Sequence, residues 1–280
     1  MKILVTGATG FIGKALLPCL VAAGKTPIAV VRPKQLVVPE VDSVHVDLAN
    51  DVLERKLPRD ITQVIHLAAN VSNCHSAECF TDNVYTTYAV AKWAQTLGVR
   101  IVYASTTGVY GHPRTPRDAV ESEEIRPQNL YALSKHLGEV ALATSSVSAV
   151  MLRFSYVYGE GDRNSAVARI VRHVLEGRPV VVRDESRDLL YIDDAVSAIL
   201  SAVEYFGKVP VFNIGSGSLA ALADVAKEVM KMTQQFVPLR IEGPRRAGYR
   251  INATRAGEEL TWHVTTPLSG GLRRLIQSHL

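Results

Sequence analysis

Short apolar runs rich in β-branched residues alternate with stretches of helical periodicity through the first half of the chain. The runs Ile3–Thr6, Pro27–Val31, Val44–Val46, Val64–Leu67 and Ile101–Ala104 predict strands, with helices over Phe11–Ala23 and Thr81–Leu97. Continuous apolar strands, as opposed to alternating ones, suit a parallel sheet buried on both faces. Helices between them supply right-handed crossovers, so the pattern predicts an α/β fold with a doubly wound parallel sheet. A helix over Gln128–Thr144 and a strand over Ala149–Phe154 extend it. After that the pattern loosens: helical segments at Ser165–Glu176, Asp193–Phe206 and Leu219–Met232 are separated by turns rich in Gly, Pro and Arg. Val211–Ile214 reads as one more strand of the sheet, and the remainder as a smaller mixed lobe over the cleft.

Composition narrows the classes of function. With 280 residues, 47% of them hydrophobic and 21% charged, the chain can bury a large core in one domain or in a large and a small one. The net charge of +4 is not concentrated in any Lys/Arg run, which argues against a nucleic-acid partner and leans mildly toward anionic substrates. Cys19, Cys74 and Cys79 form no paired framework and fit a reducing compartment. Cys74, His75 and Cys79 lie close in sequence, but no second cluster completes a tetrahedral metal site, and none is expected. Met1–Val5 runs straight into a strand, and Ala15–Ala23 is too short to span a bilayer and contains Pro18. A cytoplasmic protein without a membrane partner is expected.

The first strand ends in Thr6-Gly7-Ala8-Thr9-Gly10-Phe11-Ile12-Gly13. In a strand–turn–helix unit Gly7 permits the tight turn, Gly10 lets backbone approach a pyrophosphate, and Gly13 allows close helix–strand packing. The N–H groups that open the helix face the anion. A tight βα turn without a ligand would use glycines too; the position after the first strand and before an amphipathic helix favours a Rossmann-type dinucleotide site. Residues 1–154 and 188–215 are then the dinucleotide-binding domain, and 155–187 with 216–280 the substrate-binding lobe. Cofactor choice is read at the end of the second strand, where an acid would bind the ribose 2′-hydroxyl and an arginine a 2′-phosphate. Here the strand ends in Arg32-Pro33-Lys34, and the nearest carboxylates, Glu40 and Asp42, lie past a loop. NADP is therefore preferred over NAD, with Arg32, joined by Lys34, on the phosphate; a solvated loop pair is the alternative.

Tyr131 and Lys135 stand four apart at the start of a predicted helix and share one face. A neighbouring ammonium favours the phenolate, so this tyrosine can exchange a proton with a substrate oxygen while hydride moves at the adjacent carbon. Alone, the pair suits a surface helix better than a catalytic site. Upstream, the strand ending at Tyr103-Ala104 leads into Ser105-Thr106-Thr107-Gly108-Val109-Tyr110-Gly111, placing hydroxyls at the carboxyl end of a parallel strand, where they can donate to a developing oxyanion.

In order and spacing, the glycine motif, this Ser-Thr-Thr-Gly-Val-Tyr-Gly stretch and Tyr-x-x-x-Lys resemble the extended short-chain dehydrogenases, the NAD(P)-dependent nucleotide-sugar epimerases, dehydratases and reductases. The resemblance runs the length of the chain. His66-Leu67-Ala68-Ala69 resembles the family's turn beside the cofactor, Asp47-Leu48 its adenine contact and Asn83 its helix asparagine. Arg187-Asp188 before Tyr191-Ile192-Asp193-Asp194, Phe212-Asn213-Ile214-Gly215 and Pro244-Arg245-Arg246-Ala247-Gly248 match later motifs. The resemblance implies Tyr131 as general acid/base, Lys135 as the group that lowers its pKa and binds the nicotinamide ribose, and Thr106 as the holder of the reacting oxygen. It also implies that Arg187 and Arg246 grip a substrate diphosphate, which two converging arginines are suited to do; pairing with Asp188 or Glu242 is the alternative. Family members often dimerise through two helices, and Tyr85–Leu97 could serve in a homodimer.

Departures from the family pattern carry the choice of reaction. Sugar dehydratases of the family place Asp-Glu after the catalytic threonine; this chain has Thr107-Gly108. Where the family often has Asn in its Leu-Arg-x-x-Asn-Val-Tyr-Gly motif, this chain places Tyr156, and the stretch Pro179–Arg187 reads as a short loop. The expectation is NADPH-dependent reduction of a 4-keto (6-deoxy) nucleotide sugar, with a nucleotide-sugar 4-epimerase holding NAD as the alternative and a non-catalytic NADPH-binding regulator as a second.

Overall fold

The computed structural model describes residues 1–33, 35, 40–71, 77–208 and 210–279. In chain order its first elements are β1 (Lys2–Thr6), α1 (Phe11–Ala22), β2 (Thr26–Val31), β3 (Asp42–His45), α2 (Leu53–Lys56), β4 (Gln63–His66), α3 (Ala77–Leu97) and β5 (Arg100–Thr106). A 3₁₀ turn at Thr107–Tyr110 leads to β6 (Arg117–Ala119), α4 (Leu130–Thr144), β7 (Ala149–Phe154), β8 (Tyr156–Tyr158), α5 (Ala166–Leu175), β9 (Val180–Tyr191) and α6 (Ile192–Glu204). Then come β10 (Val211–Ile214), β11 (Leu219–Ala221), α7 (Leu222–Thr233), β12 (Leu239–Arg246), β13 (Tyr249–Ile251), α8 (Thr254–Leu260) and α9 (Leu268–Gln277).

The apolar runs pair in one seven-stranded sheet of order β10-β7-β5-β4-β1-β2-β3. Leu4 of β1 stands opposite Ile28 on one side and Val64 on the other, all three buried, as a sheet covered on both faces demands. The pairs among β3, β2, β1, β4 and β5 are parallel. At the other edge Met151 N–H donates to Pro210 and Ser155 N–H to Ile214, so β10 and β7 climb together. The chain leaves β1 toward β2 and β3 and returns on the other side with β4, so strand order reverses between β1 and β4. Ligands bind open α/β sheets at the carboxyl ends beside such a reversal. Trp93 and Val90 of α3 join Leu4, Val64 and Ile101 in the core beneath it.

The chain divides into two units, Met1–Gly111 with Glu124–Arg153 and Ile199–Phe212, and His112–Glu123 with Phe154–Ala198 and Asn213–Leu280. This division differs from the boundaries read in the sequence. Residues 112–123 join the second unit because β6 pairs with β13, and 188–191 do so because β9 is one continuous strand. In the second unit β9 holds β11 antiparallel, with β8 and β12 parallel to it. Val167, Ile170, Val171 and Val174 of α5 and Val225 and Val229 of α7 are buried there.

Three element readings need correction. Val180–Tyr191, expected as a short loop over its first part, is a twelve-residue strand. The helix expected from Leu219 starts at Leu222, because 219–221 pair with β9. The helix expected from Thr81 starts at Ala77. Among the described residues no helix is long and apolar enough to cross a membrane.

Candidate functional site

In the first unit the turn after β1 is shaped by backbone. Gly7 has φ +66°, and a Cβ there would lie 2.6 Å from the Leu67 carbonyl carbon and 2.7 Å from the Ala68 nitrogen. The turns that follow β1 and β4 thus touch through the missing side chain. A Cβ on Gly13 would lie 2.3 Å from the Gly7 oxygen, which also accepts the Gly10 N–H at 2.9 Å. Gly10 caps α1 with no side-chain hydrogen bond, and the first turn carries no acid. The first N–H groups of a helix have no intrahelical acceptor, so those of Phe11, Ile12 and Gly13 are suited to an anion brought from outside. A cradle that a single Cβ would fill fits the pyrophosphate of a dinucleotide.

Behind this turn runs a buried relay of hydrogen bonds. Thr87 Oγ1 donates to the Asn83 carbonyl at 2.7 Å, so its oxygen is left to accept from His66 Nε2 at 3.1 Å. His66 Nδ1 is then the acceptor for the Thr6 hydroxyl at 2.6 Å, and Thr6 Oγ1 accepts the Ala68 N–H at 3.2 Å. The network therefore assigns a neutral His66 protonated on Nε2. Burial, with the nearby Lys135 charge as a smaller cause, pulls its pKa down to about 3. An unfolded histidine titrates near 6.5, so between these values the unfolded chain binds more protons than the native one. The stability conferred by neutral His66 is present above pH 6.5 and lost as pH falls toward 3, with a slope of up to about 1.4 kcal/mol per pH unit. Urea unfolding between pH 4 and 6.5 should show this slope, and His66→Gln should flatten it; an unchanged slope would mean that other groups dominate acid destabilisation.

The residues expected to shape the adenine end are arranged around β2 and β3. The Arg32 side chain is 68% exposed at the end of β2 and approaches Asp82 Oδ2 at 4.0 Å. Asp47 is drawn into its own turn, accepting from Asn50 Nδ2 and the Ala49 N–H, each at 3.0 Å. The Asn50 bond is the largest cause lowering the Asp47 pKa, and Arg32 is the smallest. Leu48 packs on the core. Asn83 is buried and fully engaged: its amide holds the Asn70 backbone at 2.7 and 3.1 Å and donates to Ser134 Oγ at 2.9 Å. It fastens the segment after Ala69 to α4. Lys34, Cys74 and His75 lie outside the described residues, while the Cys79 thiol meets the Asn70 carbonyl at 3.3 Å.

The residues expected to do chemistry converge on β5 and α4. Asn129 caps α4 by accepting the Ala132 N–H at 2.8 Å, which sets Tyr131 in the first turn. Lys135, one turn on, is 2% exposed, and its ammonium lies 4.0 Å from the centroid of the Tyr103 ring. Burial pushes the Lys135 pKa down to about 7, opposed by the Glu139 carboxylate. Burial first, then smaller charge effects that include Tyr131, raises the Tyr103 pKa far above the ordinary tyrosine range, so Tyr103 serves as a neutral platform. Thr106 Oγ1 accepts the Gly108 N–H at 3.1 Å, which leaves its own hydrogen to donate elsewhere. A Cβ on Gly138 would strike the Tyr103 hydroxyl at 2.2 Å, so α4 needs glycine to lie this close to β5.

A buried ion pair that no sequence motif marks holds α4 in place. Glu139 is 4% exposed and accepts two hydrogen bonds from Arg153, at 2.9 and 2.7 Å, and one from Ser105 Oγ at 2.5 Å. Arg153 also donates to the Tyr110 hydroxyl at 2.9 Å. Ser105 and Thr106, adjacent on β5, therefore point to different tasks. The available signal was spacing: Tyr131, Lys135 and Glu139 form one i, i+4 stripe.

In the second unit, Arg187 is ion-paired with Glu185 and lies 4.1 Å over the Tyr156 ring. Neither Asp188 nor Glu242 is its partner. Asp188 accepts from Ser216 and Gly217 N–H at 2.7 and 3.0 Å and from Ile251 N–H at 3.0 Å, stapling three strand ends together. Arg246 stands opposite Glu185 across the β9–β12 pair. His112 completes the group, its pKa lowered first by burial and then by Arg246.

The profile of the NAD dependent epimerase/dehydratase family matches residues 3–215. Among curated relatives, the dTDP-4-dehydro-6-deoxyglucose reductase of Escherichia coli is 27% identical, over 99% of this chain and 96% of its own. A putative UDP-glucose 4-epimerase of Methanocaldococcus jannaschii is 28% identical, over 98% and 97%. Among solved structures, MoeE5 in complex with UDP-glucuronic acid and NAD superposes with a TM-score of 0.90 at 27% identity, covering 100% of this chain and 99% of that one.

Proposed function

The chain belongs to the NAD dependent epimerase/dehydratase family, and from that membership we propose that it is an NADPH-preferring reductase of a 4-keto, 6-deoxy nucleotide sugar. The observation that carries this reading is Arg32: an exposed guanidinium follows β2 where the strand end itself carries no acid, with Asp82 of α3 reaching it only at 4.0 Å. An arginine so placed suits a 2′-phosphate, and a cofactor drawn from the NADPH pool suits net reduction. The Escherichia coli reductase similar to this chain acts, by its name, on a substrate of this kind.

Phe11, Ile12 and Gly13 would hold the pyrophosphate through backbone N–H groups, with Leu67, Ala68 and Ala69 beside it and Asp47 and Leu48 toward the adenine. Bound there, the dinucleotide supplies the hydride that reduces the keto carbon. Tyr131 gives its hydroxyl proton to the carbonyl oxygen as that carbon is reduced, so the product leaves as an alcohol. Lys135, whose charge favours the phenolate left behind, also binds the nicotinamide ribose, and Thr106 donates to the same substrate oxygen. Thr107-Gly108 offers no carboxylate for elimination, which argues against dehydration. In the second unit, Arg187, Arg246 and Tyr156 form a cluster suited to phosphate.

A second reading, 4-epimerisation with retained NAD, is favoured by the similarity to the Methanocaldococcus jannaschii protein and to MoeE5 with NAD bound. Arg32→Asp separates the two. It should weaken NADPH binding about ten- to a hundredfold, the loss of one charge-assisted contact to phosphate, while leaving NADH binding unchanged or tighter. Fluorescence titration of both variants measures this. Stoichiometric NAD released from freshly purified protein would overturn the reductase reading in favour of the epimerase.

A further inference from the structure

Glu185 and Arg187 are two apart on β9 and so project from the same face of the strand. A register shift in β12 between Glu242 and Arg246 brings Arg246 opposite Glu185. The Glu185 side chain is 5% exposed and that of Arg187 is 23% exposed, so the carboxylate lies beneath the guanidinium it pairs with. Tyr156 covers one face of that guanidinium, and Arg187 Nε is buried without a hydrogen-bond partner. His112 senses both arginines and Glu185. The cluster thus combines two guanidinium charges with one fixed carboxylate, and retains one unused buried donor.

A diphosphate in a nucleotide sugar brings two negative charges, and a cluster with two unopposed arginines would match both. Here one of those positive charges is already met from within the protein. We infer that Glu185 is a specificity-determining residue: it occupies the electrostatic place of a second phosphate, so the site gains little from a diphosphate over a monophosphate. This inference rests on the nucleotide-sugar reading of the same site. It deepens that reading by assigning recognition to shape and to one phosphate.

Calorimetric titration of the full chain with UMP, UDP, dTMP and dTDP at fixed ionic strength tests it. In the wild type the diphosphate should bind less than about threefold tighter than its monophosphate. In Glu185→Gln, of the same shape without the charge, the ratio should widen to about tenfold or more, since a like charge is removed at close range. A wild-type ratio of tenfold or more, or an unchanged ratio in Glu185→Gln, would overturn the role of Glu185 and leave the nucleotide-sugar reading standing. Binding of none of the four nucleotides to either protein would overturn both. Should Glu185→Gln not fold, the wild-type ratio decides alone.

Discussion

Tyr131→Phe should lower kcat for the keto-sugar substrate about a thousandfold and leave cofactor affinity within about twofold of wild type. The substitution removes one oxygen from the first turn of α4. The Asn129 cap and the buried contacts of Ala132, Ser134 and Lys135 hold that helix without it. In the proposed mechanism the lost function is proton delivery, which the Thr106 hydroxyl cannot replace, because a hydrogen-bond donor of ordinary alcohol acidity stabilises an oxyanion without protonating it. Single-turnover rates with bound NADPH and the keto sugar report the chemical step directly. Turnover within about fivefold of wild type would place the proton donor elsewhere and sink the mechanism.

Glu139→Ala should cost about 3–5 kcal/mol of stability, the usual result of leaving one partner of a buried ion pair alone. Arg153 would lose the carboxylate that accepts two of its hydrogen bonds, and Ser105 would lose its acceptor. At about 2–4 °C per kcal/mol for a chain of comparable size, the melting temperature should fall by roughly 6–20 °C in differential scanning calorimetry. Replacing both partners, Glu139→Leu with Arg153→Met, should recover most of the loss, since no charge is then left buried without a partner. If the single variant melts with wild type, the pair does not anchor α4. The consequence reaches chemistry through Lys135: Glu139 is the group that opposes the effect of burial on its pKa.

Much of the first unit was legible because its signals are local. β-branched runs mark parallel strands wherever both faces are covered, and β7 and β10 fall where the runs Ala149–Phe154 and Val211–Ile214 indicate. The glycine turn was legible because its requirements are steric and span seven residues. β9 was not, because Arg183, Asp184, Glu185 and Arg187 interrupt its apolar residues. Charges in that number read as loop until the backbone ladders with β8, β11 and β12 make the strand. Glu139 and Arg153 stayed hidden for a related reason: fourteen residues separate them, and only the packing of α4 on the sheet makes one explain the other. Arg187 does pair with a carboxylate, but with Glu185, a strand neighbour on the same face, whereas Asp188, adjacent in sequence, points the other way to Ser216 and Ile251.

Mutational tolerance is unevenly spread around the dinucleotide turn. At Gly7 and Gly13 any added side chain collides with main chain, so those positions are closed to gradual change. The Arg32 side chain, 68% exposed, follows the end of a strand and lies 4.0 Å from Asp82. A lineage carrying this architecture can vary the exposed side chain that follows β2 while the glycine turn stays fixed.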